Sequence, residues 1–182
     1  GRIFEKLDEL GLWDDTIVLV LSDHGTEIMD HTKFGKGGGN MRTYNTGFVW
    51  YMWHPAGPHG RVVDAYVQSH DVMPTLLTML DVPHRCEGMN IWPLATGEAK
   101  VLRPFIVNGW AGSSHGNAAG WASVMDDAWL YSCPVGRDDP EPMLFALPDQ
   151  DRNVHDEHPD VVAMQRRRIE AVVNQPLETL RF

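Results

Sequence analysis

The 182-residue chain, 43% hydrophobic and 22% charged, has the length and apolar content for an ordinary folded core. A net charge of −10 and a pI near 5.2 argue against a general nucleic-acid binder, since such proteins need basic surface to displace counterions from phosphates. No apolar run approaches the roughly 18 residues needed to span a bilayer, so neither nucleic acid nor membrane is an expected partner.

The sequence opens on a helical pattern instead of a secretory leader, and its cellular location stays open. Ile3, Phe4, Leu7 and Leu10 share one face of a helix over residues 2–10, and Gly11 is a natural stop. Leu12 to Asp15 lead into an apolar, β-branched run over residues 17–21 that predicts a buried parallel strand. That run ends abruptly in Ser22-Asp23-His24-Gly25. The carboxyl ends of buried parallel strands are where open α/β sheets hold ligands. Asp23 and His24 together offer a carboxylate oxygen and an imidazole nitrogen, donors suited to a divalent metal. A second Asp-His pair follows at Asp30-His31, and Lys36 sits in a glycine-rich loop able to bring an ammonium close to an anion.

This arrangement closely resembles the second metal-binding segment of the sulfatase branch of the alkaline phosphatase superfamily. The resemblance implies that Asp23 and His24 are metal ligands. It also implies that Lys36 is an anion-binding residue and that His31 lies on the substrate side of the same loop, as a substrate contact or a residue that shapes it. One divalent cation is implied. Ca2+ is the first expectation, and the imidazole nitrogen shifts preference towards Mn2+ or Zn2+.

Beyond the loop, Phe48 to Trp53 predicts another buried strand closed by a Pro/Gly turn, and residues 62–67 a short strand. Ser69-His70-Asp71 reads as an N-cap for an apolar helix over residues 72–80, with His70 a cap or core histidine. The phrase Asp71-Val72-Met73-Pro74-Thr75-Leu76-Leu77 and the loop through Glu87-Gly88-Met89 and Pro93-Leu94 are similar to further markers of the family. A boundary is expected near residues 97–103. It divides the α/β core with half of the metal site (1–100) from a C-terminal α+β subdomain (101–182).

In the second part, residues 104–107, 120–125, 128–133 and 143–147 read as short strands, with Asp126-Asp127 turning a hairpin and residues 108–120 forming a polar loop. His115 in that loop is a weaker candidate for reaching over the site. A helix over residues 161–173 turns Val162, Met164, Ile169 and Val173 inward and Arg166, Arg167 and Arg168 mainly to solvent. The expected fold class is therefore α/β. Part of an alkaline-phosphatase-like doubly wound mixed sheet is followed by a small antiparallel sheet packed by a terminal helix.

The family cleaves sulfate esters, or phosphonate and phosphate esters in its sister branch. Its nucleophile is a cysteine matured to formylglycine in C-x-P-x-R, or Ser or Thr in some relatives. Cys133-Pro134-Val135-Gly136-Arg137 places its proline one position early, and Cys86 has none beside it, so both read as ordinary cysteines, as free thiols or in one disulfide. The nucleophile and its formylglycine are expected in a missing N-terminal half or on a partner chain. The substrate class is a sulfate, phosphonate or phosphate ester of a small molecule or glycan. A non-catalytic module that keeps the fold is the alternative of another class.

Overall fold

The computed structural model describes residues 1–29, 34–35, 41–111, 120–136 and 141–180. The fold is α/β, and it divides into two compact units. The first comprises Gly1–Asp23 and Phe48–Arg103; the second comprises His24–Gly47 and Pro104–Phe182.

In the first unit, helix α1 (Arg2–Leu10) ends where Gly11 adopts the left-handed conformation, at φ 63°, and its amide caps the last turn. Strand β1 (Val18–Leu21) pairs with Trp50–Trp53, named β4 below, in an antiparallel register from Val18 opposite Trp53 to Leu21 opposite Trp50. The expected buried parallel strand is thus corrected: β1 is antiparallel, and Val20 and Leu21 are exposed. An apolar run does not by itself state the direction of its neighbour, and here the partner strand runs opposite to it. Residues 62–67 form no strand; Val62 is 91% exposed and no described segment offers them a ladder. Aromatic rings bind α1 to the sheet. Trp13 packs on Phe4 and Trp53 at 5.8 and 5.2 Å between centroids, and Trp53 Nε1 donates to the Trp13 carbonyl.

The centre of this unit is polar. Asp71 is fully buried at the start of helix α3 (Val72–Met79). Its carboxylate accepts hydrogen bonds from the amides of Gln68 and Met89 at 2.7 and 2.8 Å, and from both terminal nitrogens of Arg103 at 2.5 and 2.7 Å. Thr75 continues the network, its hydroxyl donating to the Asp71 carbonyl and accepting from the Ile91 amide. The expected cap is therefore Asp71 acting on Gln68, in a capping box, with His70 half exposed beside it. A short helix over Trp92–Thr96 (α4) buries Leu94.

The second unit holds two short strands, β2 (Glu27–Ile28) and β3 (Phe34–Gly35), and a single helical turn, α2 (Thr43–Thr46). Its bulk is a four-stranded antiparallel sheet of β5 (Ile106–Ala111), β6 (Gly120–Met125), β7 (Trp129–Val135) and β8 (Met143–Ala146) in chain order. Strand β5 extends to Ala111, four residues into the expected loop, because Asn108 to Ala111 pair in register with Ser123 to Gly120. Helix α5 (Pro159–Val173) covers one face, where Ala122, Val124, Tyr131, Cys133, Val135 and Leu144 meet Ile169. The opposite face buries Trp121, Leu130 and Phe145. Two of the three arginines expected in solvent are tied down instead. Arg166 pairs with Glu178 at 2.5 Å, and Arg168 reaches Asp126 while lying over the Phe105 ring.

Burial alone would push the Asp71 carboxyl up, but Arg103 and the two amides outweigh it and hold it below the usual carboxylate range. A depressed folded value contributes stability above the unfolded carboxylate value, near pH 4, that is lost as pH falls through the folded one. Acid unfolding should therefore begin below about pH 4, and Asp71→Asn should flatten that limb. Arg103→Met strands a buried carboxylate and should lower stability by about 3–5 kcal/mol in urea titrations at neutral pH.

Candidate metal- and anion-binding segment

Strand β1 delivers the first candidate ligand. At its end the Ser22 amide donates to the Val49 carbonyl at 3.1 Å, and the Ser22 hydroxyl accepts from the Val49 amide at 2.8 Å. These two bonds carry the β1–β4 ladder one step past the strand and fix the backbone leading into Asp23. The Asp23 side chain is exposed and its carboxylate is an oxygen donor at the strand's carboxyl end.

His24 opens the second unit. It is half buried, and its Nδ1 lies 2.5 Å from the Gly25 carbonyl oxygen. The carbonyl is an acceptor, suited to a proton on Nδ1. Metal-ligating imidazoles commonly have their second ring nitrogen anchored on a carbonyl in this way. The next residue fixes this geometry. The Gly25 amide donates to the Asn45 carbonyl at 3.1 Å, and a Cβ on Gly25 would lie 2.0 Å from the Tyr44 carbonyl oxygen and 2.7 Å from that of Gly47. Only glycine permits so close an approach of two backbones.

The hairpin that follows has an inverted polarity. Glu27, opposite Gly35, is 1% exposed, whereas the cross-strand pair Ile28 and Phe34 is 66% and 80% exposed. Tyr44 has its phenol raised above the ordinary value, first by burial and also by the charge of Glu27, against the pull of Arg42. Tyr44 is therefore a neutral hydrogen-bonding group, and Arg42 Nη1 donates to its oxygen at 3.1 Å. Arg42 also lies over the Phe145 ring, 4.9 Å from its centroid. Helix α2 is tied to the same sheet by Gln150. The Thr43 amide donates to Gln150 Oε1 at 3.0 Å, and Gln150 Nε2 donates to the Thr43 hydroxyl at 2.7 Å.

Of the residues expected from sequence, Asp23 and His24 are adjacent in the chain and described; His31 and Lys36 lie outside the described residues, as does His115. Among the described residues no group of three or more His, Cys, Asp or Glu side chains gathers as a ready-made metal cluster. Cys86 is an exposed free thiol and Cys133 a buried one. Burial pushes the Cys133 thiol up to about 11, so it is not a thiolate nucleophile at neutral pH. Glu27, Tyr44 and Gln150 carry no motif that marks them in the sequence. The one available signal is the alternation that sets a carboxylate opposite a glycine in a short hairpin.

Comparison with known proteins gives a consistent family. A model of the Sulfatase family matches residues 1–82. The multifunctional alkaline phosphatase superfamily protein PehA of Trinickia caryophylli is 38% identical over 106 residues, covering 57% of this chain and 21% of that protein. Arylsulfatase K of Xenopus laevis is 28% identical over 187 residues, covering 97% of this chain and 34% of its own length. Among solved structures, the phosphonate monoester hydrolase SpPMH of Silicibacter pomeroyi superposes with a TM-score of 0.80 at 26% identity, over 98% of this chain and 39% of that one. The fold is thus alkaline-phosphatase-like, and the chain spans about a third of the length of such relatives.

Gly25→Ala forces a Cβ onto the Tyr44 and Gly47 carbonyls and should destabilise the second unit by about 1–3 kcal/mol, as overpacking does. Thermal unfolding, together with faster amide exchange at Gly25 and Thr46, checks this; exchange rates equal to wild type would contradict the packing described.

Proposed function

We propose, from the Sulfatase family model that matches residues 1–82 and the likeness to arylsulfatase K and SpPMH, that the chain supplies the metal- and anion-binding portion of a sulfuric ester hydrolase. In this reading Asp23 and His24 are ligands to one divalent cation, and Lys36 with His31 meets the non-bridging oxygens of the ester's anionic group. The observation that carries it is His24, whose Nδ1 lies 2.5 Å from the Gly25 carbonyl oxygen, directly after the carboxylate of Asp23 at the end of β1. An oxygen and a nitrogen donor fit Ca2+, Mn2+ or Zn2+, with further ligands required from elsewhere. When bound, such a cation offsets charge on the oxygens of the group being transferred.

The nucleophile belongs to sequence outside these residues, either the remainder of a longer chain or a partner, where the family carries formylglycine. Cys133 is excluded by its buried, protonated thiol, and Cys86 by the absence of the family's spacing. The substrate is a sulfate ester of a small molecule or glycan. A phosphonate monoester or phosphodiester is the second reading, favoured by the likeness to SpPMH and by histidine at position 24.

Mn2+ titration of the chain, followed by paramagnetic broadening of its amide resonances, tests the site. Broadening should centre on Asp23 and His24, and Asp23→Ala or His24→Ala should each weaken binding by about tenfold or more. Unchanged binding in both variants would remove the metal assignment. The chain alone should turn over neither 4-nitrophenyl sulfate nor a phenylphosphonate ester; turnover abolished by Asp23→Ala would place the nucleophile within these 182 residues.

A further inference from the structure

We propose that the outer edge of strand β1 is the docking surface for a β-strand from the part of the alkaline-phosphatase-like fold that lies outside these residues. The proposal rests on the reading of the chain as one portion of a larger hydrolase. Its starting point is a unit short of a core. Across Gly1–Asp23 and Phe48–Arg103, the fully buried apolar side chains are Pro74, Ile91 and Leu94, and the other buried residues are the polar Asp71, Thr75 and Arg103. Helix α1 buries no residue at all, and Ile3 on its apolar face is 76% exposed. So little apolar burial gives the unit little hydrophobic stabilisation of its own.

The sheet of this unit shows where further contacts belong. β1 and β4 form a two-stranded pair, an arrangement that is marginal alone in water. Their side chains are aliphatic, aromatic or Met throughout, the composition of strands buried on both faces. Val20 and Leu21 are neighbours and so point to opposite faces, yet they are exposed to the same extent, 42% and 41%. Exposure on both faces at one place puts the opening at the strand's edge. The backbone agrees. The Ser22 amide bonds the Val49 carbonyl, so by the alternation of an antiparallel ladder Val18 and Val20 bond towards β4, while Leu19 and Leu21 turn their amides and carbonyls away from it. Among the described residues no third strand joins this sheet. The edge carries no proline, lysine or bulge, the devices that keep an open edge from pairing. Length and charge identify the occupant. Nearly all of this chain is matched, but it covers 39% of SpPMH and 34% of arylsulfatase K, so the greater part of such a fold lies outside it and can supply a strand. A second copy of the chain and an anionic lipid surface are both disfavoured by the net charge of −10.

The test compares the isolated 182-residue chain with a chimera of SpPMH in which these residues replace the segment they superpose on. Amide exchange is read residue by residue. In the isolated chain, which should sediment as a monomer, the Val18 and Val20 amides should be protected, and those of Leu19 and Leu21 should exchange within about tenfold of unstructured rates. In the chimera Leu19 and Leu21 should gain roughly a hundredfold protection, while β6 and β7 amides keep theirs. Leu21→Lys should lower the thermal midpoint of the chimera by about 5 °C or more and that of the isolated chain by about 2 °C or less. Unchanged exchange at Leu19 and Leu21 in a folded chimera would overturn the proposal, as would new protection only at Trp50 and Met52, the outward amides of β4. If the chimera does not fold, the isolated chain decides. Open Leu19 and Leu21 amides in a monomer support the docking edge; protected ones, in a monomer or a dimer, show the edge already in use and overturn it. Mn2+ broadening at Asp23 and His24 is recorded on the same samples. Docking without broadening removes the metal reading and keeps this one, and broadening without docking does the reverse.

Discussion

The approach of Gly25 to the backbone of residues 44–47 is the constraint on which the candidate site depends. Two main-chain segments meet there at a separation that excludes even a methyl group. The contact joins the residue after His24 to a helical turn that is itself fastened to Gln150 and Phe145. Backbone contacts of this kind position a side chain more tightly than side-chain packing does, because a carbonyl and an amide have no rotamers to relax through. The same glycine's carbonyl oxygen lies 2.5 Å from Nδ1 of His24, the candidate ligand that precedes it.

The first unit solves a similar problem by different means. Asp71 has no exposed surface, yet its two oxygens take four hydrogen bonds, two from amides and two from one guanidinium. The bidentate geometry and the amide donors outweigh the cost of burying a carboxylate, as its depressed pKa records. The interaction ties a 3-10 turn, the start of α3, the loop at Met89 and the end of the unit at Arg103. The same pattern recurs in the second unit, where Asp126 accepts from the Ala128 and Trp129 amides and from Gln165 and Arg168. In both units a buried or half-buried aspartate closes a turn and fastens it to a distant arginine. Helix propensity does little of this work.

The sequence was legible wherever one residue type has one physical use. Gly11 stops α1, the apolar runs at residues 18–21 and 50–53 become strands, and Asp126-Asp127 turns the β6–β7 hairpin. It was less legible where the outcome depends on partners far along the chain. The parallel reading of β1 failed because an apolar run does not state the direction of its neighbour. The strand expected over residues 62–67 failed because β-branched residues without a ladder have nothing to pair with. Arg166 and Arg168 were assigned to solvent because helical periodicity does not show acceptors waiting at Glu178 and Asp126. At the candidate site Asp23 and His24 were visible as a donor pair after a strand. Gln150 was not, since a glutamine in a polar turn has no signature until the turn it caps is known.

The same chemistry bears on how such a segment separates its substrates. A sulfate monoester and a phosphonate monoester are both tetrahedral anions carrying a single negative charge near neutral pH. In the proposed reading, a cation held by Asp23 and His24, with an ammonium at Lys36, would attract either through the same oxygens. Coulombic attraction of this kind depends on charge and distance and is nearly blind to the central atom. Discrimination must therefore arise where the two differ, in the organic group each carries and in the nucleophile that attacks. In the proposed reading this segment neutralises and orients an anion, and the Cys133 thiol, buried and protonated, takes no part in attacking one. Cys133 is locked in the core behind α5, and Cys86 stands at the surface of the other unit. The division of labour is thus physical: the binding of charge can reside in a strand end and a glycine-rich loop, while selectivity resides with the groups that touch the carbon side of the ester.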